Sequence, residues 1–447
     1  MILRYCVWFS VLLSAVLQAQ SPVTERWNLN FQATSVGQYH GTFRSPYSGA
    51  FTLHSDPERD VSLTTTLFLG LRLEKNTQLY FNPEIAGGRG FSGVEGLANS
   101  SNGELPRVAS ATPKPYLARL YLTHDFGFGS AAESVESGQN QLAGERPLRR
   151  YTVTAGRFTL TDFFDNNRYS HDPRTQFLGW GVMFNGAWDY PADVRGYTWG
   201  WVHDLHVRNW FFRYASAAMP RVANGLRFDR RILRNRGDVF EAEYRYNSHR
   251  HPGAIRLLNY ENHAVAGNYA QSIRDAERTG AAPDITATRR NGTLKYGFGV
   301  NFEQELSEAI GIFGRLGWND GKTESFAFTA IDRLATVGVS ISGQLWHRPL
   351  DTAAAELTIS GISGVHAVYL ARGGYDFLIG DGRLRYGPET IAETYYSTRL
   401  FPGFVATFDL QHVANPAYNR DRGPLWIPSI RLHTEITKNV LSGRRGP

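Results

Sequence analysis

The chain has 447 residues, of which 42% are hydrophobic and 13% aromatic, and its formal net charge is +6. The basic residues comprise 42 arginines and five lysines, but they are spread along the chain beside acidic residues, which argues against a nucleic-acid-binding patch. The single cysteine, Cys6, excludes an intrachain disulfide framework.

The N-terminal segment has the composition of a secretory signal peptide. Arg4 supplies positive charge, the apolar run 5–17 is too short for a transmembrane helix, and Leu17-Gln18-Ala19 offers a cleavage site. We therefore predict a signal peptide over residues 1–19, a single domain over 20–436 and a disordered tail over 437–447. No later stretch approaches the roughly 20 apolar residues of a membrane helix, so strands would have to cross the membrane.

Apolar and polar residues alternate along several segments. In the clearest of them, Leu294, Tyr296 and Phe298 are apolar, whereas Lys295 and Glu303 occupy the other parity. Strict period two gives each strand one apolar and one polar face. Because we find no apolar segments that would form a dry interior, we predict an outer-membrane barrel with lipid outside and water inside.

Tight turns alternate with long polar segments along the chain. We expect tight turns near 75–76, 206–209, 248–252, 307–309, 347–351 and 401–403. Between them, long segments rich in Gly, Asn, Asp, Ser and Pro lie near 41–60, 87–114, 218–236, 264–291, 319–334, 363–389 and 413–424. Strands are predicted to start near 27, 61, 77, 115, 150, 197, 209, 238, 253, 292, 310, 335, 353, 390, 403 and 425. The predicted fold is all-β, a 16-stranded antiparallel transmembrane outer-membrane β-barrel with both ends on the periplasmic side.

Two segments depart from this alternation. Residues 127–149 form a long segment where a short turn is expected. Residues 177–188 are strand-like, but counting them as a strand would break the parity of every later strand. Placing all of 159–196 in one external loop preserves the parity. Sixteen-stranded barrels enclose an aqueous channel, so we predict that this loop folds inward and constricts the channel.

The loop carries side chains that suit sugars. Carboxylate, amide and guanidinium groups replace the hydrogen bonds that hydroxyl groups make to water, and aromatic rings cover C–H faces. Weak repeated binding of this kind suits passage through a channel. The alternative is that the same side chains tie the loop to the barrel wall. The predicted constriction and substrate-binding residues are Asp162, Asp165, Asn166, Asn167, Arg174, Trp188, Asp189 and Arg195.

No catalytic residue, metal site or cofactor is predicted. His203 and His206 are three residues apart, which places them on opposite faces of a strand. Asp320-Gly-Lys-Thr323 resembles the end of a phosphate-binding loop, but Leu316 stands where the first glycine is required.

Eight segments are the most specific part of a family resemblance that runs from about Trp27 to Ile436: 45–49, 140–144, 156–158, 161–167, 170–174, 185–193, 195–199 and 415–424. On these segments the chain resembles the carbohydrate-selective porins of Gram-negative outer membranes, the OprB type. This resemblance implies a porin for passive diffusion of mono- and oligosaccharides, located in the outer membrane of a Gram-negative bacterium. The implied partners are small carbohydrate solutes, outer-membrane lipid and the barrel assembly machinery, with no nucleic acid and no cofactor. One departure is Ile436, which stands where such barrels usually end on an aromatic residue.

Other functions stay open at this point. The arginine excess suits an anion- or acidic-sugar-selective outer-membrane channel. A barrel enzyme acting on lipid or surface polymer would need a Ser/His/Asp cluster, which no motif indicates. A surface adhesion protein would work through its external loops. The sequence does not distinguish a homotrimer from a monomer.

Overall fold

The computed structural model describes residues 24–105 and 111–437. The predicted signal peptide, 1–19, and all but Thr437 of the predicted tail lie outside the described residues.

Sixteen antiparallel strands of the described residues close into one barrel, in which the first strand pairs with both the second and the last. Each barrel strand starts within three residues of its predicted start, so the prediction of sixteen strands is confirmed. The barrel strands are β1 Trp27–His40, β2 Glu58–Glu74, β3 Thr77–Gly88, β4 Lys114–Gly127, β7 Arg150–Phe158, β8 Thr198–Val207, β9 Trp210–Ala218, β10 Arg236–Ser248, β11 His251–Ala266, β12 Arg290–Ser307, β13 Ile310–Asn319, β14 Arg333–Ser342, β15 Thr352–Gly361, β16 Glu389–Phe401, β17 Phe404–Ala414 and β18 Leu425–Ile436. Two short strands, β5 Ala132–Val135 and β6 Gly144–Pro147, form a separate hairpin.

The strands present the two faces that their alternation predicts. On β12, Phe298 is half exposed on the outside of the barrel, whereas Lys295 on the opposite face is buried. Trp199 and Trp201 also lie outward on β8, where aromatic residues form girdles at membrane interfaces. Such an outer surface is stable only where lipid covers it.

The interior contains a packed apolar cluster, which the sequence analysis did not expect. Phe164, Trp188 and Tyr190 from the connection between β7 and β8 pack with Tyr80 and Val239 of the barrel wall. The expectation of no apolar core is therefore wrong for this part of the barrel. The physical reason is that the connection brings its own apolar side chains into the interior, where they bury against small and aromatic wall residues.

Within the residues that the structure describes, three α-helices lie in connections that were predicted to be loops. They are the single turn α1 Trp180–Met183, α2 Tyr269–Thr279 and α3 Gly364–Ala371. The side chain of Asn268 caps α2 by accepting from the amide of Gln271, and Ser363 caps α3 by accepting from the amide of His366. No helix in the described ranges is long and apolar enough to cross a membrane.

The two longer helices belong to a cap of packed connections at the end of the barrel opposite the tight turns. Tyr269 of α2 and Tyr369 of α3 join a buried cluster with Ala98, Ala330 and Tyr418 from three other connections. We call this cluster the external cap.

A buried histidine lies inside the external cap. The Nδ1 atom of His366 lies 3.1 Å from Oδ2 of Asp332, and its Nε2 atom lies 3.3 Å from Oδ2 of Asp376. Burial disfavours the charged imidazole, but hydrogen bonds and charge from the two aspartates outweigh it and raise the pKa of His366 to about 9. The charged histidine therefore ties α3 to two other segments of the cap.

At the tight-turn end, the long segment 127–149 folds back into the barrel. The side-chain amide of Asn28 donates to the carbonyl oxygens of Gly138 (3.1 Å) and Gln141 (2.8 Å), and that of Asn30 donates to Gly138 (3.0 Å). Asn28 and Asn30 are buried on the inner face of β1. The hairpin tip thus covers part of this mouth, which explains why the connection is longer than a turn.

Candidate solute passage

The connection 159–196 contacts opposite walls of the barrel. Arg315 on β13 binds it at Asp165, and Glu84 on β3 binds it at Arg174. Strands β13 and β3 stand eight positions apart in the ring of sixteen, which is the widest separation that the ring allows. A segment that reaches both must cross the interior. The strand-like stretch 177–188 lies within this segment and forms no barrel strand, as the parity argument requires.

The anchor at Asp165 is the most heavily bonded point of the segment. The Nε atom of Arg315 donates to Oδ2 of Asp165 (2.9 Å), and its two terminal nitrogens donate to Ser170 Oγ (2.6 Å) and to the carbonyl oxygens of Asp165, Ser170 and Val182. Asn301 on β12 donates to the other carboxylate oxygen (2.7 Å). Asp165 has a φ of 56°, a left-handed conformation that aspartate tolerates better than most residues.

Three further predicted site residues are also buried within protein contacts. Asn167 donates to Oδ1 of Asn301 (2.8 Å). Asp189 accepts from Lys295 Nζ (3.0 Å) and from two backbone amides of residues 326 and 327. Trp188 packs 5.2 Å from the ring of Tyr190 inside the apolar cluster. These side chains face protein partners in this structure.

Another wall contact comes from β16 and β18. Arg431 donates to the carbonyl oxygens of Pro173 (2.7 Å) and Gln176 (2.5 Å). Glu393 accepts from the amides of Leu178 and Gly179 (2.8 Å for the latter). The middle of the segment is therefore fixed to the wall through its backbone.

Three of the predicted residues, Asp162, Arg174 and Arg195, border a cavity of about 350 Å³ beside β1 to β4. We call it the central cavity. Its ionisable lining consists of the guanidinium groups of Arg119, Arg174 and Arg195, the carboxylates of Glu84, Glu104, Asp162 and Asp172, and the imidazole of His171. Trp180, Phe184, Tyr190 and Tyr197 supply aromatic surface.

Arg174 is held by four acceptors from four parts of the chain. Its Nη1 atom donates to Gln32 on β1 and Thr66 on β2 (2.9 Å each), and its Nη2 atom to Glu84 on β3 (3.1 Å). Its Nε atom donates to Glu104 from the connection between β3 and β4 (2.9 Å). Because each of its three nitrogens donates a hydrogen bond, the guanidinium is rigidly placed at the cavity wall.

The other two cavity residues differ in how they are paired. Asp162 accepts from Nε (2.7 Å) and Nη2 (2.6 Å) of Arg119, which is a bidentate pair. The guanidinium carbon of Arg195 lies 4.0 Å from the ring centroid of Tyr116. Within residues 24–105 and 111–437, no carboxylate forms an ion pair with Arg195. Among the three guanidinium groups that line the central cavity, that of Arg195 is therefore the one from which no carboxylate of the described residues accepts.

Asn166 lies apart from this group. It borders a second cavity, of about 460 Å³, together with Arg256 and Glu303 near the tight-turn end. Its backbone carbonyl accepts from Asn301 (3.2 Å).

The sequence analysis missed several residues of the central cavity. Glu84 and Arg119 lie on polar faces of predicted strands, so alternation offered a signal for them. Nothing in the sequence marks Glu104, which lies in a Gly- and Asn-rich segment. Burial raises the pKa of Glu104 to about 7, opposed by the charge of Arg174 and reinforced by that of Glu84.

A closed sixteen-stranded barrel with an apolar outer face and a charged interior defines a class of protein, the outer-membrane diffusion barrels. The model of the carbohydrate-selective porin, OprB family, matches residues 33–436, and the chain belongs to this family. It is therefore a porin for carbohydrates, not an enzyme, and its family is one of outer-membrane β-barrels of Gram-negative bacteria.

One of the similar solved structures has the same fold. The high-pH structure of OprB from Pseudomonas putida superposes with a TM-score of 0.69 at 15% identity, covering 92% of this chain and 94% of that one. The outer-membrane channel DcaP of Acinetobacter baumannii superposes with a TM-score of 0.48 at 9% identity, covering 92% and 97%. No curated protein sequence matched the chain.

Proposed function

We propose that the barrel conducts mono- and oligosaccharides by passive diffusion and that the segment 159–196 narrows the path at the central cavity. The observation that carries this proposal is the crossing of the interior between β13 and β3, which leaves a polar opening beside the segment. The proposal includes export through the predicted signal peptide and insertion into lipid by the barrel assembly machinery.

The lining of the central cavity suits neutral polyhydroxylated solutes. Carboxylate oxygens accept from sugar hydroxyl groups, guanidinium groups donate to them, and the rings of Trp180 and Tyr190 cover C–H faces. The three guanidinium groups face four carboxylates, so the arginine excess of the chain is not repeated here. This balance favours sugars over the alternative, an anion- or acidic-sugar-selective channel.

The eight predicted residues divide into two roles under this proposal. Asp162, Arg174 and Arg195 contact the passing solute in the central cavity, and Asn166 lies along the path toward the tight-turn end. Asp165, Asn167, Trp188 and Asp189 hold the segment against the wall, as the anchoring alternative suggested. Arg195 is the residue on which solute binding depends most, because its donors have no carboxylate to compete for them.

The proposal is tested by single-channel conductance of the refolded protein in a planar bilayer. Neutral sugars are titrated against citrate and phosphate, with Arg195→Gln compared with wild type. We expect sugar-dependent block with weak charge preference, and a block at least about tenfold weaker in the variant, through loss of a charge-assisted hydrogen bond of about 1.5–3 kcal/mol.

Arg348→Gln serves as the matched control. Arg348 lies in the tight turn between β14 and β15 with a half-exposed side chain, so its loss should leave the block unchanged. Strong anion preference without sugar block would instead establish the anion-selective alternative.

A further inference from the structure

The external connection between β9 and β10 is strongly basic. Residues 219–236 contain six arginines and one aspartate. This connection is an exception to the dispersed arrangement of arginines that the sequence indicates. It also exposes two leucines to solvent, Leu226 by 61% and Leu233 by 86%. Exposed leucines among guanidinium groups form an amphipathic surface that the sugar passage does not use.

This connection has a defined conformation. The amide of Asp229 donates to the carbonyl oxygen of Met219 (2.9 Å), which closes a small hairpin. The carboxylate of Asp229 accepts from Arg231 (2.6 Å) and from the side chain of Asn235 (2.8 Å). These hydrogen bonds hold the pKa of Asp229 well below its usual range. The charged aspartate therefore fixes the chain around residues 229–235.

The basic surface begins at the aromatic border of the membrane-facing wall. Tyr214 and Phe240 are exposed outward on β9 and β10. The hydroxyl of Tyr214 donates to Oδ1 of Asp238 (2.9 Å), and Nε of Arg236 donates to Oδ2 of the same carboxylate (2.9 Å). Aromatic side chains in such belts lie at the level of lipid headgroups. Arg236 is thereby placed at that level.

Two more arginines and Leu233 are gathered beside Arg236. Its Nη1 atom donates to the carbonyl oxygen of Leu233 (3.1 Å), so this leucine lies next to the guanidinium. The amide of Gly292 donates to Oδ1 of Asn235 (3.1 Å), which joins the connection to the start of β12. Arg290, two residues before Gly292, is exposed and pairs with Ala266 of β11 beyond a register shift in β12.

The charges of this group are available to a ligand. In the part of the chain that the structure describes, neither Arg234 nor Arg290 has an ion-pair partner. Both are exposed, and both flank the junction between Asn235 and Gly292. Arg236 shares its charge with Asp238, leaving a net positive group at the outer rim.

We propose that Arg234, Arg236, Arg290 and Leu233 bind a phosphate-bearing lipid headgroup of the outer leaflet. Guanidinium groups match phosphate oxygens in bidentate geometry, and basic residues near a membrane surface are attracted to anionic lipid. Leu233 inserts at the boundary of the acyl chains, as apolar side chains of surface-bound segments do. A water-soluble phosphate would give no reason for an exposed leucine between guanidinium groups, so the lipid is favoured.

The test measures binding of a fluorescent diphosphoryl lipid A probe to the refolded barrel in maltoside micelles. The double variant Arg234→Gln/Arg290→Gln should bind at least about tenfold more weakly, since it removes two charge-assisted contacts. Leu233→Ser should show a smaller loss, and a phosphatidylcholine probe should not bind the group. The heat-modifiable mobility of the folded barrel verifies that each variant is folded.

The matched control removes two exposed arginines elsewhere on the external connections, Arg274→Gln/Arg420→Gln, and should keep wild-type affinity. Equal affinity of the test variant and wild type would overturn the proposal. An equal loss in the control variant would also overturn it, because it would mean that the net charge of the protein, not this site, sets the affinity. Complete displacement of the probe by millimolar inorganic phosphate would overturn the lipid assignment in favour of a free-phosphate site.

Discussion

Replacing Arg315 with alanine should detach the segment 159–196 from the barrel wall while leaving the barrel closed. The Arg315 side chain makes five hydrogen bonds, all to this segment, and it is fully buried. The pairing of β13 with β12 and β14 runs through the backbone and does not require the guanidinium. The change therefore acts on the segment, not on the sheet.

The magnitude follows from the charge left behind. Removing one partner of a buried ion pair costs roughly 3–5 kcal/mol, because the other charge stays buried and uncompensated. Asp165 keeps the amide of Asn185 (2.7 Å) and the side chain of Asn301, so the lower part of that range applies. A loss of about 3 kcal/mol raises the population of detached segment about a hundredfold.

Hydrogen–deuterium exchange of the amides of residues 165–185 measures this opening directly, and single-channel conductance should rise with it. Adding Asp165→Asn to the variant should restore part of the protection, because it removes the unpaired charge. Arg245→Gln is the control, since its side chain is more than half exposed and bonds Glu243 of the barrel wall, not the segment. Wild-type exchange in Arg315→Ala would refute the anchoring argument.

Three other changes test the same structure. As pH falls through about 7, protonation of Glu104 leaves the central cavity more positive, so the reversal potential should shift toward anions, and Glu104→Gln should abolish this shift. The raised pKa of His366 gives a stabilisation of roughly 3 kcal/mol that is complete below about pH 6.5 and lost as pH rises through about 9; proteolysis of the external cap should accelerate over that window, and His366→Gln should remove the dependence. A Cβ at Gly317 would lie 2.0 Å from Oδ1 of Asn185, so Gly317→Ala should loosen the segment in the exchange assay, whereas Gly37→Ala, with its nearest atom at 4.0 Å, should not.

The inward- or outward-facing side of each strand residue could be predicted from the sequence, because alternation is a local signal. Leu294, Tyr296 and Phe298 identify an outward face without reference to any other strand, and the inward parity of Glu84 and Arg119 follows by the same rule. The division of the loop residues could not be anticipated. Asp165 and Asp162 are three residues apart with the same carboxylate, yet one meets Arg315 and the other borders the cavity.

The helices of the external cap were also not predicted from the sequence, although the residues that cap their ends could be seen in it. Asn268 with Gly280, and Ser363 before α3, mark helix ends, but both lie in Gly-rich segments whose composition favoured loops. Short helices of this kind are marginal alone and depend on tertiary burial. The cap supplies that burial by joining Tyr269 and Tyr369.

The sequence by itself determined the strands, their number and the assignment of residues 159–196 to one connection at the end opposite the tight turns. It did so because period two and turn parity are properties of neighbouring residues. Only the tertiary structure decided which charges meet across the barrel, since Arg174 finds its acceptors at residues 32, 66, 84 and 104. Such contacts join residues that are distant in sequence, and their energy depends on burial and geometry that no local pattern contains. The closed barrel therefore gives Arg174 a fixed position in the wall of the central cavity.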